Sequence, residues 1–541
     1  MQLSTFDLII IALYAVSLFG IALFVSRERG GKAKDTEDYF LASKALPWWA
    51  IGASLIAANI SAEQIIGQSG QGFAVGIAIA AYEWQAAIVL LVVAKYFLPI
   101  FMKRDIHTMP QFLDQRFGGG VKSLMSVYWI ALYTAVNLTT VLWLGGLALT
   151  SITGLGVWPA MAGLAVFAVI YSVYGGLKAV ALTDIIQVVV LLIGGVAITW
   201  IALDLVSGGS GPVAGFGRIY EEMPGHFKML LAEDHPAYGD LPGIWTLLGG
   251  LWVLHFSYWG FNQYIIQRAL AAESLAEAQK GLAFAAFLKL LIPLIVVIPG
   301  IAAVILAQQG ALDASVLDPD ICAVAGDPAS CGKPDRAYGE LMTIVPSGLR
   351  GIVFAALIAA IVSSLASMMN SISTIFTLDL YKAQRPGRSE GHYVTVGRIT
   401  AFLAMLIALF LARPFIGGFE SGFQAVQEYT GFIAPGVVAI FLLGFFWKRA
   451  NTAGAFAVLI SSLAMNIGLK LLANDIPFVI RIWAVFIVCL VIGVLVSEVS
   501  KSKLVNDRHV KLSELSFGTS TLFNVLSAVI IVIFVGIYFV F

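Results

Sequence analysis

Polar and apolar residues segregate along this chain in long blocks, without the short periods of a soluble amphipathic domain. Windows of about 20 mostly apolar residues, the length that carries a helix across a bilayer, recur fourteen times. They lie roughly at 6–26, 47–75, 77–102, 121–150, 155–174, 179–206, 243–267, 276–308, 339–381, 393–412, 421–446, 452–473, 477–497 and 519–541. The pattern predicts an all-α polytopic membrane protein with about fourteen transmembrane helices. In the first window the basic cluster follows the apolar run and no small-residue cleavage site ends it. That window is expected to be an uncleaved span and not a signal peptide.

Two windows are interrupted by polar residues where lipid is expected. The first interruption runs Ala57-Ala58-Asn59-Ile60-Ser61-Ala62-Glu63-Gln64-Ile65-Ile66-Gly67-Gln68-Ser69-Gly70. Short polar side chains and glycines compete for backbone hydrogen bonds, so an unwound segment is expected there; an interhelical hydrogen-bond patch is the plainer alternative. The second runs His255-Phe256-Ser257-Tyr258-Trp259-Gly260-Phe261-Asn262-Gln263-Tyr264. Planar aromatic faces beside hydrogen-bonding groups suit a sugar, which presents a C–H face and a hydroxyl edge. His255 on its own reads equally well as a satisfied core histidine. The two breaks begin two blocks of five windows, 47–206 and 243–446, with 6–26 leading and 452–541 trailing. Five is odd, so the blocks have opposite orientation, as in inverted-repeat carriers that hold substrate at the midplane.

Ionisable groups inside windows are costly and ask for a role. Glu83, flanked by Tyr82 and Trp84, and Lys289 are candidates for a buried acid–base pair facing a cavity, or for a structural ion pair. Ser363 and Ser364, with Ala360 about one turn before, place two hydroxyls and a backbone turn on one helix face; helix-packing serines are the alternative. Phe423 and Gln427, four apart, put an aromatic and an amide on one face.

Composition agrees with the window count. Of 541 residues, 59% are hydrophobic and 12% charged, about half the charge of a soluble domain, and mean hydropathy is +0.90. Lys+Arg and Asp+Glu are both 32, giving a net charge of +0 and no basic excess for nucleic acid. Sorted by connection, the bases are asymmetric. With the N-terminus outside, 22 fall in cytoplasmic connections, 7 outside, and three (Lys95, Lys289 and Lys470) within windows. This places both termini outside. Of three cysteines, Cys489 lies in an apolar run; Cys322 and Cys331 share one polar loop, where a disulfide is open, and no zinc spacing exists.

Asp38-Tyr39-Phe40-Leu41-Ala42, Trp48-Trp49, the run Ala57 to Gln64, Val173-Tyr174-Gly175-Gly176-Leu177 and Phe445-Phe446-Trp447-Lys448-Arg449 resemble the sodium:solute symporter family. The bacterial sodium/galactose (sodium/glucose) symporters within it are the most similar. The resemblance covers all but roughly the last forty residues. It implies a leucine-transporter-like 5+5 inverted repeat with extra flanking helices, in a bacterial plasma (inner) membrane. It further implies a sugar site with Gln64, Glu83, Lys289 and Gln427 as hydrogen-bonding groups and Tyr258 stacking on the ring. Gln68, Tyr82 and Phe423 match the residues closing the outer side, and Asn59 the residue steadying Tyr258. The sodium ligands match the carbonyls of Ala57, Ile60 and Ala360 and the hydroxyls of Ser363 and Ser364, with Asp184 on the sodium exit route. Two sugar contacts depart: His255 stands where the galactose carriers have Asn, and Ala86 where they have Ser.

None of the five sodium ligands is ionisable, and neutral oxygens suit a hard monovalent cation; sodium coupling is therefore expected in place of proton coupling. Other substrates of the same fold would be inositol, another polyol or an amino acid. A transporter-like sensor is expected to carry an added signalling domain, whereas this chain stops directly after its last window. An enzyme is the weakest reading, since no nucleophile–base pair or metal cluster stands out.

Overall fold

A computed structural model describes residues 3–26, 46–313, 334–419, 421–500 and 509–541, with the backbone alone for 18, 19, 21–26 and 173–183. The motif Asp38–Ala42 and the pair Cys322 and Cys331 lie outside the described residues, as do the side chains of Val173–Leu177. Among the described residues the secondary structure is helical, apart from one isolated bridge between Leu46 and Ala272.

The main helices are α1 (Thr5–Ser26), α2 (Trp48–Asn59), α3 (Gln68–Ala74), α4 (Ala81–Val92), α5 (Gly119–Leu132), α6 (Thr139–Thr153), α7 (Val157–Val206), α8 (Gly250–His255) and α9 (Gln263–Leu270). There follow α10 (Leu275–Gln308), α11 (Leu349–Thr374), α12 (Glu390–Ile416), α13 (Gly422–Gly431), α14 (Ala434–Phe446), α15 (Thr452–Leu472), α16 (Phe478–Ser500) and α17 (Thr521–Val540). Every apolar window has a helical counterpart. Nine helices are long and apolar enough to cross a membrane among the described residues, or up to eleven if each of two bent pairs is one span. The window at 243–267 is not among them because it is broken into short pieces, and the apolar stretches Thr5–Ser17 and Val157–Ser172 are shorter than a span among the described residues.

The first expected break is present. The α2 helix stops at Asn59, a π turn runs Glu63–Gly67, and the axis bends by 59° into α3. The second is present as well: α8 ends at His255, a π turn covers Phe256–Gly260, and α9 restarts after Asn262, whose side chain accepts from Tyr264 N–H. A further bend, 45° between α13 and α14, has Pro435 just inside α14, where a missing N–H is harmless. The π turn Tyr133–Leu138 links α5 to α6.

The core is built on α10 and α11. The broken α2–α3 unit and α4 pack on α10, and α7 packs along α11. Close approach at two glycines sets this packing. A Cβ on Gly300 of α10 would lie 2.1 Å from Ser69 O, and one on Gly67 would lie 2.7 Å from Phe423 Cβ. At the N-terminal end of α11, buried Asp7 of α1 accepts from Gly348 N–H (2.8 Å), Gly351 N–H (3.0 Å) and Arg350. Those are the unpaired donors of a helix N-terminus.

Two bases assigned by the sequence to cytoplasmic connections are buried instead. Arg116 donates to the carbonyls of Gly444, Trp447 and Lys448 at the end of α14, so the last helical carbonyls take it from water. Arg268 is held by Asp184 (3.4 Å). Of the bases inside windows, Lys470 pairs with Glu428 (2.9 Å), which also binds Arg481 (2.5 Å). Cys489 is buried and free, donating weakly to Val458 O.

Replacing Gly300 with Ala is expected to lower stability by about 1–3 kcal/mol, because the new methyl meets backbone oxygen. Thermal unfolding of detergent-solubilised protein reads this, and an unchanged midpoint would refute the close packing of α3 on α10.

Candidate functional site

Where the breaks meet lies a cavity of about 40 Å³ lined by Asn59, Glu63, Gln64, Tyr82, Glu83, Asn137, Leu254, His255, Tyr258, Trp259, Lys289, Phe423, Val426, Gln427 and Thr430. The breaks account for this composition. A continuous helix would direct its polar groups into its neighbours, whereas a helix that stops mid-bilayer opens a polar surface that protein, not lipid, must cover.

One hydrogen-bonded chain crosses the site. Lys289, 1% exposed, sits 2.5 Å from Glu83 Oε2. The same ammonium donates to Asn59 Oδ1 and lies 4.8 Å from the Trp259 ring centre, a favourable cation–π distance. Asn59 Nδ2 donates to Tyr258 Oη (3.2 Å), which also accepts from Tyr264 Oη (3.0 Å). At the other end Gln68 Nε2 donates to Glu83 Oε1 (2.8 Å). The expected acid–base pair is thus formed, and it continues to the tyrosine expected to close the inner side. Tyr133 Oη donates to Asn262 Oδ1 (2.9 Å) and accepts from Gln263 N–H (3.0 Å), closing the gap before α9.

Toward the end formed by α3 and α13, Tyr82 and Phe423 meet edge to face with centroids 5.0 Å apart, and His255 lies 6.2 Å from Tyr82. Phe423 and Gln68 are fully buried, so this face is shut. Gln64 and Gln427 line the cavity, and Ser61 Oγ reaches Gln64 Oε1 at 3.5 Å. His255 hydrogen-bonds the Ala81 backbone, while its Nε2 has no partner. Ala86 is buried but does not line the cavity.

The expected oxygen donors sit on two elements, α2 with the turn that ends it and the middle of α11. With α2 ending at Asn59, Ser61 N–H turns to Asn59 O (2.8 Å), and the helical ladder no longer takes up the Ala57 carbonyl. Ile60 follows the last helical residue, in a non-helical conformation (φ −71, ψ 80). Ser364 Oγ donates to Ala58 O (3.4 Å), bringing the middle of α11, with Ala360 and Ser363, against this turn. Ser363 Oγ donates to Asp184, which accepts also from Ser54 Oγ (2.8 Å). Arg268 completes the cluster, donating to Ser54 Oγ (2.8 Å) and Ser367 Oγ (2.8 Å). Asp184 and Arg268 are both fully buried. The side-chain candidates for the sugar site line the cavity or bond to its wall, and Ser363, Ser364 and Asp184 belong to the second cluster.

Sequence reasoning missed Ser54, Arg268, Ser367 and Asn137. Arg268 sits 84 residues from Asp184, and nothing in its local sequence marks it as buried. Asn137 lies in an apolar window where a single amide carries little signal.

The geometry is that of a helical membrane protein with a polar cavity among its broken helices. The sodium:solute symporter family model matches residues 39–462. The chain is 46% identical to a sodium/glucose cotransporter of Vibrio parahaemolyticus over 100% of this chain and 98% of that protein. It is 33% identical to sodium/myo-inositol cotransporter 2 of Homo sapiens over 85% of this chain and 69% of that protein. A Na+-coupled sialic acid symporter, solved in a substrate-bound outward-open state, shares the fold at TM-score 0.76 and 20% identity, covering 92% of this chain and 98% of that one. The chain belongs to the sodium:solute symporter family.

Arg268→Ala strands a buried carboxylate, and a loss of about 3–5 kcal/mol is expected. Adding Asp184→Asn should recover part of it, since the double variant leaves no bare charge. Thermal unfolding of the two variants decides, and equal midpoints would overturn the pairing.

Proposed function

We propose that this chain carries a hexose of the galactose/glucose type into the cell together with sodium, by alternating access. The observation that carries the reading is the juxtaposition of the two clusters. A cavity with aromatic faces and hydrogen-bonding groups adjoins, across the same break in α2, a set of neutral oxygens. Occupancy of one is thereby tied to the shape of the other.

In this reading the hexose is hydrogen-bonded by Gln64, Glu83, Lys289, Gln427 and His255 and stacks on Tyr258. The stacked arrangement is supported by the chain Lys289–Asn59–Tyr258, which holds the ring's hydroxyl from behind. Sodium is the co-substrate, held by the carbonyls of Ala57, Ile60 and Ala360 and the hydroxyls of Ser363 and Ser364, bridging α2 and α11. Its loss inward frees α2 to move, loosening Asn59 and with it Tyr258; Asp184, bonded to Ser363, offers the departing ion its next carboxylate. Gln68, Tyr82 and Phe423 close the outer side. Each sodium moving inward gains about 2.3 kcal/mol per 100 mV. We place the protein in a bacterial plasma membrane with both termini outside, on the asymmetry of its connecting bases, and take 47–206 and 243–446 as the two repeats.

A cyclitol such as inositol offers a similar C–H face and hydroxyl edge. The decisive measurement is sodium-driven uptake of labelled hexose into proteoliposomes, with glucose, galactose, inositol and proline as competitors. A hexose should compete best; the best competitor being inositol or proline would reassign the substrate, and uptake indifferent to the sodium gradient would refute the coupling. Gln427→Ala and Lys289→Ala should each abolish uptake while the protein still inserts; persistence in both would refute the site. Ser363→Ala should raise the sodium concentration for half-maximal uptake by about tenfold, as expected for one lost ligand worth roughly 1.4 kcal/mol.

A further inference from the structure

Where the chain passes from α16 to α17, basic side chains collect around two hollows that the carried substrate and its ion leave without a role. The first, about 570 Å³, is lined by Lys448, Arg449, His509 and Lys511, with Phe446 and Trp447 beside them. The second, about 280 Å³, shares His509 and Lys511 and adds Lys103 and Arg104. Among the described lining residues five are Lys or Arg and one, Glu514, is acidic.

Local structure explains the gathering. Trp447 leaves the helical conformation (φ −119, ψ 108) and ends α14, so Lys448 and Arg449 open a connection. Lys103 ends the helix Leu98–Lys103, which continues α4 through a π turn at Val93–Phe97. Arg104 donates to His509 O (2.9 Å) and ties the last connection to that end. The positive charge is not cancelled there. Arg449 pairs with Glu498 (2.9 Å) and Lys511 with Glu514 (3.2 Å), but both bases are more than half exposed, and exposed pairs hold loosely. Arg116, close by, is engaged with neutral carbonyls. Burial first, and then the like charge of Arg104, push its guanidinium down to about 10.

The flank of the hollows is apolar. Tyr96, 41% exposed, meets Phe517 with ring centroids 5.9 Å apart, and Phe446 is 48% exposed. Exposed aromatics at the end of a span mark the headgroup level of a bilayer. An occupant that answers both features carries phosphate charge and acyl chains together, whereas a free phosphate would use the bases alone. Basic pockets between spans are suited to such headgroups.

We propose that the two hollows bind one anionic phospholipid with two phosphates, of the cardiolipin type, from the surrounding leaflet. One phosphate lies at Lys448 and Arg449 and the other at Lys103 and Arg104, with Lys511 serving both. Little of α17 is buried, and it packs on α10 and α4. A lipid held between its connection and the end of α14 fastens this last helix to the bundle. Lipid binding here is independent of which substrate the protein carries.

The test is native mass spectrometry of the detergent-solubilised full chain titrated with cardiolipin, phosphatidylglycerol, phosphatidylcholine or inorganic phosphate, with thermal unfolding alongside. Cardiolipin should bind most tightly and raise the unfolding midpoint, and phosphatidylglycerol should do so more weakly. Phosphatidylcholine and inorganic phosphate at equal concentration should do neither. Each neutralised base should weaken cardiolipin binding about fivefold, and Lys448→Gln, Arg449→Gln and Lys511→Gln together about a hundredfold. Arg385→Gln with Arg388→Gln, exposed bases between α11 and α12, should leave binding unchanged. Should the triple variant fail to fold, Lys448→Gln and Lys103→Gln singly read the fivefold steps. Inorganic phosphate matching cardiolipin would make this a soluble-anion site and overturn the proposal. So would phosphatidylcholine or phosphatidylglycerol binding as tightly as cardiolipin, unchanged affinity in the variants of the hollows, or an equal loss in the Arg385 and Arg388 variant.

Discussion

The Lys289 ammonium joins the parts of this protein that a membrane would otherwise separate. It binds Asn59 where α2 stops, Glu83 on α4 and the face of Trp259 after α8. A charge at this depth is tolerated only with partners on all sides, and here the partners come from three elements that the breaks leave unfinished. Without the lysine, Glu83 would be a bare buried carboxylate. Without Glu83 and Asn59, the lysine would be stranded on α10. The pair is therefore less a source of net stability than a constraint on how the broken helices meet.

The same logic is repeated one helix turn away. Asp184 and Arg268 are a second buried pair, and three serines from α2 and α11 satisfy them. The two pairs lie on either side of α2, which contributes Ser54 to one and Asn59 to the other. Both pairs therefore depend on where α2 lies. Glycines permit the segment beyond its break to sit closely: Gly300 receives the backbone of Ser69 in α3, and Gly67 receives Phe423. Further anchors lie elsewhere, where Asp7 caps α11 and Glu428 binds Lys470 and Arg481.

Much of this was legible in the residues. Glu83 and Lys289 stood out because ionisable groups are expensive in apolar windows, and the structure pairs them. The polar runs after Ala57 and His255 announced breaks that are present at those positions. The bend before Pro435 was not foreseen, although a proline there was a usable signal. Arg116 and Arg268 are buried for a common reason that local sequence does not announce. A base at the edge of an apolar window looks solvated, yet distant groups, the carbonyls ending α14 and the carboxylate of Asp184, offer better partners than water. The residues that resemble a family pointed to these positions sooner than spacing could have done.

The amino-acid pattern alone determined the medium, the helical class, the asymmetry of the connections and the positions of two breaks. Each follows from local chemistry: apolar length, charge sorting, and short polar side chains competing for backbone bonds. Only the tertiary structure decided which polar groups are partnered and which face empty space. Glu63 and Glu83 are both acids in polar surroundings, and nothing in their neighbours along the chain says that one meets a lysine 206 residues away while the other keeps an oxygen unpaired. Burial and partnership are properties of packed surfaces, and packing joins residues that sequence distance keeps apart.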